Sequence, residues 1–564
     1  MADNVLHDVE TQGVSFGPIL KHFFALCRIE EIIDQSVNMD PRRKILTHGQ
    51  ASVAMITAIL FQVMQLYRIC EFADKTTVLS VLFPDIKPEE YFDDRLADTL
   101  DALFQYGLGD LETQITKHMI ETFGIQNNTC HNDTTTGSTY GNCANNKTDE
   151  SITIDFGHSK KHRKDLKQFV WSLSVSQDSA FPLFQEAYTG NTADVSTYVK
   201  QWQNLIDLLG DTDFLYVTDS KNVCKENMAF IHDNNGFFIA PVPMYEMYKQ
   251  AFHEALKYHH SETLLPYKDQ INRAFEVPFT YTYDKKDYTF RFIILFDQGL
   301  FAAKKANLIT RLDKTVEAFT ELDSKINKYR LKTYEGIDQA CADILKKQKT
   351  SDYFSYTITN DPVVTYKNKH RGRTPKNKEP EKVAVFTDHF SIELRLNEDA
   401  VEESIATCGY YPLITNNSEL SLNDAMLAHK GQYKSEAINR RAKSELKLEP
   451  IYLHTPERIQ AILFLFKIAL QMTVLIERTA RKNIEERNKG LDGFMPNRKD
   501  VRNPTSGYLL KEFEYIVSGR LELPTGDRRY FVSKLSPLQK DILSILGIPE
   551  HCYSYEYIFG PPPQ

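Results

Sequence analysis

The sequence predicts an α/β protein: a mixed sheet flanked by helices, with an all-helical N-terminal domain and a β-rich insertion domain. Three observations predict it. Apolar residues recur at helical spacing through residues 17–125. Short strand-like runs then alternate with helical segments from residue 151 to residue 243. Hairpin-like and charged helical segments interrupt this alternation between residues 270 and 415, which indicates an insertion.

The N-terminal domain, residues 1–125, is predicted from its helical periodicity. GPILKHFFALCRIEEIIDQS and HGQASVAMITAILFQVMQLYRICEFA both place apolar residues on one helical face. FDDRLADTLDALFQYGLGDLETQITKHMIETFGI reads as two helices that break near Gly107 and Gly109.

The first part of the core, residues 126–265, is predicted from its strands. SITIDFGHS, QFVWSLSVSQD and FPLFQEAYTG read as three strands. DVSTYVKQWQNLIDLLG reads as an amphipathic helix with Asp194 near its N-cap. FLYVTDS (214–220) and GFFIAPVP read as buried strands on either side of a helix, NVCKENMAFIHDNN.

The insertion is predicted over residues 266–408. FEVPFTYTYDKKDYTFRFIILFDQ reads as a hairpin with DKK at its turn, followed by charged helices over residues 303–348 and further strands. GYYPLITN (409–416) is predicted to return to the sheet, and residues 421–447 and the segment from Thr455 read as helices. The second part of the core is therefore placed at 409–480, and a basic C-terminal region and tail at 481–564.

Composition limits the class of protein. The chain has 564 residues, of which 42% are hydrophobic and 25% charged, as in soluble globular proteins. Its eight cysteines are scattered without a CxxC pair, which favours a reducing cytoplasm. The most apolar runs, 54–64 and 461–472, are too short to span a bilayer, so no membrane is expected. The net charge is −9, yet residues 366–378 and 478–502 are locally basic.

Three acidic residues are candidate metal ligands. Asp133 lies in TCHNDTTTGSTYGN, where it is either a turn residue or a metal ligand at the end of a strand. Asp219 ends FLYVTDS, and sites in α/β proteins gather at the C-terminal ends of strands. Glu436 lies on a helix whose alternating charges are also typical of an ordinary exposed face.

Three carboxylates that meet at one sheet edge would bind two divalent cations. Mg²⁺ suits such a site because it prefers oxygen ligands and keeps open positions for water and phosphate. Arg440 and Lys443 follow Glu436 at i+4 and i+7 on the same helix face, where they would hold DNA phosphate.

Several long motifs occur in an order that resembles bacterial insertion-sequence transposases of the DDE class. That family has an RNase H-like core and a strand-rich insertion before the catalytic glutamate. The motifs are FGPILKHFFALCRIEEIID, HNDTTT, the block from ITIDFGHSKKHRKDLKQ to TGNTAD, FLYVTDSKNVCKENM and YKSEAINRRAKSELKLEPIYLHTPERIQAILFLFKIAL. The likeness covers residues 13–475.

The resemblance implies a fold and a site. The fold is an RNase H-like mixed sheet flanked by helices, and the catalytic and metal-binding triad is Asp133, Asp219 and Glu436. Two Mg²⁺ ions are implied as cofactors, with Mn²⁺ able to substitute. The chain departs from the family pattern where His429 and Gln432 stand in place of Tyr and Arg, and Asn439 in place of Phe.

The block GHSKKHRKDLKQ is either a solvated charged loop or a hairpin that lies along DNA phosphates. In the second case its contacts position the duplex without reading its sequence. The candidate DNA-binding residues are Lys160, Lys161, His162, Arg163, Lys167, Arg440 and Lys443.

The resulting functional hypothesis is a cytoplasmic DNA transposase. It would cleave the ends of an insertion sequence at terminal inverted repeats and join them to target DNA by two-metal phosphoryl transfer, as a homodimer in the synaptic complex. Two alternatives stay open: a domesticated descendant that binds DNA without cutting it, and a general metal-dependent nuclease.

Overall fold

The computed structural model describes residues 8–41, 45–139, 151–156, 165–192, 196–258, 261–369, 381–496, 498–523 and 528–560. The chain forms two compact units. Unit 1 comprises Met1–Pro243, Phe279–Arg291 and Ile414–Gln564, and unit 2 comprises Met244–Pro278 and Phe292–Leu413.

Unit 1 opens with one strand and seven helices. The helices predicted for residues 17–125 are present, and the strand that precedes them was not predicted. These elements are β1 (Asp8–Gly13), α1 (Gly17–Cys27), α2 (Ile29–Ser36), α3 (His48–Leu60), α4 (Tyr67–Lys75), α5 (Val78–Leu82), α6 (Asp93–Tyr106) and α7 (Leu108–Phe123). Thr47 and Gln50 form a capping box that fixes the start of α3.

A mixed sheet follows in unit 1. Its elements are β2 (Thr129–Thr139), β3 (Lys167–Ser176), β4 (Pro182–Thr189), α8 (Thr197–Leu209), β5 (Leu215–Val217), α9 (Lys225–Asp233) and β6 (Phe237–Pro241). Their order across the sheet is β4-β3-β2-β5-β6. Strands β4, β3 and β2 pair antiparallel, whereas β5 is parallel to both β2 and β6. The predicted α/β class with a mixed sheet is therefore confirmed.

One local expectation did not hold, and another falls outside the described residues. Over residues 151–156 the predicted strand SITIDFGHS is reduced to one isolated bridge, Asp155 with Gln168, and its remainder lies outside the described residues. Asp194, the predicted N-cap, also lies outside the described residues, and α8 begins at Thr197.

Unit 2 contains hairpins and two long helices. Its elements are α10 (Glu246–Lys257), β7 (Thr263–Tyr267), β8 (Gln270–Tyr283), β9 (Lys286–Phe296), α11 (Gln298–Asp323), α12 (Tyr334–Gln348), β10 (Phe354–Asn360), β11 (Val363–Asn368), β12 (Lys382–Thr387), β13 (Phe390–Leu396), α13 (Glu398–Thr407) and β14 (Tyr410–Thr415). Three of these strands, β8, β9 and β14, also contain residues of unit 1. The β10–β13 pair packs on α11 and α12 around Phe319, Ile337, Phe354 and Phe390. The predicted hairpin, charged helices and later strands are all present.

The C-terminal part of unit 1 is mainly helical. It comprises α14 (Leu422–Lys430), α15 (Tyr433–Ser444), α16 (Pro456–Glu486), α17 (Ser506–Lys511), β15 (Val517–Glu522), β16 (Arg528–Val532), α18 (Pro537–Leu546) and α19 (Tyr555–Phe559). Strand β15 pairs antiparallel with both β1 and β16.

Helix α16 is the core helix of unit 1. The apolar run at 461–472 lies within this helix of 31 residues. By length and composition alone, the helix is long and apolar enough to cross a membrane. Within the described residues, 89% of its most apolar 18-residue window is buried inside the protein, as in the core helix of a soluble protein.

Candidate active site

Asp133 lies within β2, and Asp219 lies two residues beyond the end of the neighbouring strand β5. The parallel pairing of β2 with β5 sets His131 opposite Val217. Each aspartate lies two residues beyond that pair, so the backbone brings Asp133 and Asp219 to the same level of the sheet.

Asp133 is a strand residue, not a turn residue. It lies inside β2 and pairs with Leu173 of β3, whereas the sequence interpretation placed it in a turn or at the end of a strand. Its Oδ1 accepts a hydrogen bond from the Thr134 amide at 2.8 Å, and its Oδ2 accepts one from Asn439 Nδ2 at 2.9 Å. The turn-forming residues around it are held extended because β2 pairs with β3 on one side and with β5 on the other.

Asp219 lies two residues beyond β5 and caps a short 3₁₀ helix, Ser220–Asn222. Its Oδ1 accepts the Lys221 amide at 2.9 Å and the hydroxyl of Tyr198, a fully buried residue of α8. Two donors on one oxygen fix the orientation of the carboxylate plane.

Glu436 lies on α15, and α15 packs along β2. Gln432 Nε2 donates to the Asn132 carbonyl at 3.3 Å, and Lys443 Nζ donates to the Thr136 carbonyl at 2.8 Å. Together with the bond from Asn439 to Asp133, these contacts mark one stripe of the helix as the face toward β2. Glu436 follows Gln432 by one turn on that stripe, and its side chain is exposed.

His131 lies beneath this helix. Its ring is buried, and burial lowers its pKa to about 4, so the imidazole is neutral at neutral pH. A Cβ added to Gly431, just before α15, would lie 2.9 Å from His131 Cε1 and 3.0 Å from Nε2. The glycine therefore lets the start of α15 approach β2 closely.

Several buried polar atoms without a hydrogen-bond partner belong to residues that are close in sequence to Asp133 or Asp219, or that lie in or just before α15. Among the described residues they include both ring nitrogens of His131, Asn132 Nδ2, Thr218 Oγ1, Asn222 Nδ2, Gln432 Oε1 and Asn439 Oδ1. Orphaned polar atoms are rare in protein interiors, and a cluster of them commonly surrounds a bound ion or an ordered water molecule.

The donor chemistry suits a hard cation. Asp133, Asp219 and the free amide oxygen of Asn439 offer oxygen ligands, and Mg²⁺ is usually bound through one or two carboxylates, water and substrate phosphates. In the described part of the chain, no three His, Cys, Asp or Glu side chains lie close enough together to hold a metal ion. The two aspartates thus lie at the same level of the sheet, and α15 packs on β2. The three carboxylates are nevertheless not close enough together to bind a metal ion as they stand.

The predicted DNA-binding residues fall into three groups. Lys160, Lys161, His162 and Arg163 lie outside the described residues. Lys167 starts β3 and is half-buried, and Arg440 is exposed on α15. Lys443 is half-buried and lies 3.7 Å from a Glu449 carboxylate oxygen, in addition to its bond to β2.

Four arginines of the basic segment 478–502 form ion pairs with acidic residues. Arg478 pairs with Asp178, and Arg481 pairs with Glu477. Arg487 pairs with Asp541, and Arg502 pairs with Asp500. These four arginines therefore stabilise the fold, and they do not form an open basic patch.

Two residues of the site were not predicted from sequence. Tyr198 gave no signal, because its spacing along α8 is that of an ordinary core residue. Asn439 was noted only as a departure from the family pattern, yet it donates to Asp133. The signal that could have found it is its position three residues after Glu436, which places it on a similar face.

Comparisons with known proteins add two findings. Residues 9–117 match the family model DUF4277, described as a domain of unknown function. The model covers less than half of the chain. No curated protein sequence matches the chain. Among solved structures, a piggyBac transposase synaptic complex with hairpin DNA is similar at 8% identity and a TM-score of 0.35, covering 88% of this chain and 79% of that one.

Proposed function

We propose that the chain is a DNA transposase of the DDE class that cuts the ends of a mobile element and joins them to target DNA. The observation that carries this proposal is the register of β2 with the parallel strand β5, which brings Asp133 level with Asp219 just beyond β5. Asn439, on the helix that bears Glu436, donates a hydrogen bond to Asp133. The mixed sheet supports an RNase H-like core as part of the same proposal, and DUF4277 is a domain found in transposase-like proteins.

In this proposal Asp133 and Asp219 hold the divalent metal, and Glu436 completes the set from α15. Bound metal would activate the attacking oxygen and stabilise the leaving oxygen of a phosphodiester. Asn439 and Tyr198 keep the two aspartates in place through their hydrogen bonds. Arg440, exposed one turn after Glu436, is placed to contact a DNA phosphate.

The test is cleavage of a duplex that carries the terminal repeats flanking the gene, in Mg²⁺ or Mn²⁺. We expect the wild-type chain to nick at the repeat end and Asp219→Asn to lose at least about a thousandfold in rate, because its carboxylate would hold the metal. Asp211→Asn, an exposed change before the same strand, is the matched control and keeps full activity.

Three results would contradict the proposal in different ways. Nicking that survives Asp219→Asn removes the assigned site. Equal cutting of DNA without repeats indicates a general nuclease. Repeat-selective binding without any nicking by the wild-type chain indicates a domesticated DNA-binding protein.

A further inference from the structure

Strands β11 and β12 form a two-stranded ribbon that lacks a core of its own. Eleven of its twelve strand residues are exposed, and Val385 is half-buried. The neighbouring β10–β13 pair differs, since it contributes Phe354 and Phe390 to the core formed with α11 and α12. Within the described residues, the ribbon is joined to the β10–β13 pair through residues 361–362 and 388–389.

Both faces of the ribbon carry large apolar side chains. The register sets Val364 opposite Phe386 and Tyr366 opposite Ala384, which places these four residues on one face. Tyr366 is 69% exposed and Phe386 is 71% exposed. A two-stranded ribbon is marginally stable alone in water, so a ribbon with two uncovered faces is expected to gain stability from a partner.

The charge of the ribbon is opposite in sign to that of the chain. Among residues 363–369 and 381–387, Lys367, Lys369 and Lys382 are cationic and Glu381 alone is anionic. Lys369 pairs with Glu381 at 2.8 Å, which leaves Lys367 and Lys382 as the surplus positive charge. The sequence that joins the strands, residues 370–380, lies outside the described residues and adds further arginines and lysines.

We propose that the β11–β12 ribbon is a DNA-binding arm that enters a groove of double-stranded DNA. The major groove is wide enough to admit a two-stranded β-ribbon. Lys367 and Lys382 would contact phosphates, while Tyr366 and Phe386 pack on sugars and base edges. This inference rests on the proposed function only in taking DNA as the substrate.

The test compares two double variants of the full-length chain, both in an Asp219→Asn background with chelator present. The arm variant is Lys367→Ala with Lys382→Ala. The matched control is Lys346→Ala with Lys347→Ala, two exposed lysines of α12 in the same unit. The probe is a duplex of about 40 base pairs carrying the repeat, long enough to exceed a typical recognition site, and its dissociation constant is measured across a salt series.

We expect the arm variant to bind about tenfold more weakly and to lose about 1–2 from the slope of log affinity against log salt. The control keeps the wild-type affinity and slope. Thermal melting of both variants should match the parent, since these lysines contribute nothing to a core. Tyr366→Ala with Phe386→Ala should also weaken binding, with little change in the salt slope.

Unchanged affinity and slope in the arm variant would overturn the proposal, as would failure of the parent chain to bind the duplex. A change in oligomeric mass by light scattering, with DNA affinity intact, would assign the ribbon to a second copy of the chain instead. Failure of the proposed catalytic function gives a separate result. In that case the wild-type chain does not nick the duplex in Mg²⁺ or Mn²⁺, yet duplex binding still depends on Lys367 and Lys382.

Discussion

At the scale of single residues, Asn439 illustrates how the site is positioned. Its amide donates to Asp133 Oδ2 from the same helix face that carries Glu436. This hydrogen bond therefore connects the strand that carries Asp133 to the helix that carries Glu436. Glu436 is exposed, yet it can belong to the site because Gln432 and Asn439, its neighbours on the same helix face, are hydrogen-bonded to β2.

We predict that Asn439→Ala lowers the cleavage rate about 10–100-fold, the range typical when a partner that orients a metal-ligating group is removed. Single-turnover nicking of the repeat duplex measures this. Asn234→Ala, which removes an exposed amide bound to the Phe230 carbonyl, should leave the rate unchanged. An Asn439→Ala chain with wild-type rates would show that the bond does not position Asp133.

At the scale of secondary-structure elements, the docking of α15 on β2 depends on close contact. Gly431 lies between α14 and α15, and any side chain there meets the buried imidazole of His131 and the carbonyl of Ala428. The helix can approach the strand because this position lacks a Cβ.

We predict that Gly431→Ala destabilises the protein by about 1–3 kcal/mol, the usual cost of overpacking a buried contact. Urea unfolding measures it. Gly507→Ala is the control, since a Cβ there meets nothing within 4 Å. Adding His131→Ala to Gly431→Ala should recover part of the loss, and a simple sum of two losses would contradict the steric explanation.

At the scale of the molecule, a buried ion pair connects three parts of unit 1. Lys467 of α16 lies 3.3 Å from Glu112 of α7, and Glu112 also accepts the Gln185 amide of β4 at 2.7 Å. Both side chains are excluded from solvent. Burial raises the pKa of Glu112 to about 7 and lowers that of Lys467 to about 8.

The signs of these shifts set the pH dependence of stability. For Glu112 the native pKa exceeds its ordinary value of 4.5, so the native state binds more protons between pH 4.5 and 7 and stability falls as pH rises through that window. For Lys467 the native state binds fewer protons between pH 8 and 10.5, so stability falls as pH drops through that window.

We predict that Lys467→Met destabilises the protein by about 3–5 kcal/mol at about pH 8, because it leaves an unpaired buried carboxylate. The loss should be smaller at about pH 5, where Glu112 stays protonated at little cost. Urea unfolding at the two pH values measures this. Lys467→Met combined with Glu112→Gln should regain most of the stability and lose the pH dependence, whereas equal losses at both pH values would contradict the assignment.

Much of this architecture follows from local sequence. Strand β5, which ends two residues before Asp219, and the helix that carries Glu436 were predicted because apolar runs and periodicity are local signals. Asp133 was placed in a turn or at a strand end because Asn, Thr and Gly favour turns, and only pairing with two distant strands overrides that preference. The ion pairs of Arg478 and Arg487 could not be predicted because their partners are remote in sequence: Asp178 lies 300 residues from Arg478.

The bond between Asn439 and Asp133 spans 306 positions of the chain. During synthesis, β2 leaves the ribosome long before α15, and the whole insertion must be translated in between. A nascent or prematurely terminated polypeptide that ends within the insertion therefore lacks the third acid and the amide that orients the first. The proposed chemistry becomes available only once α15 has been translated.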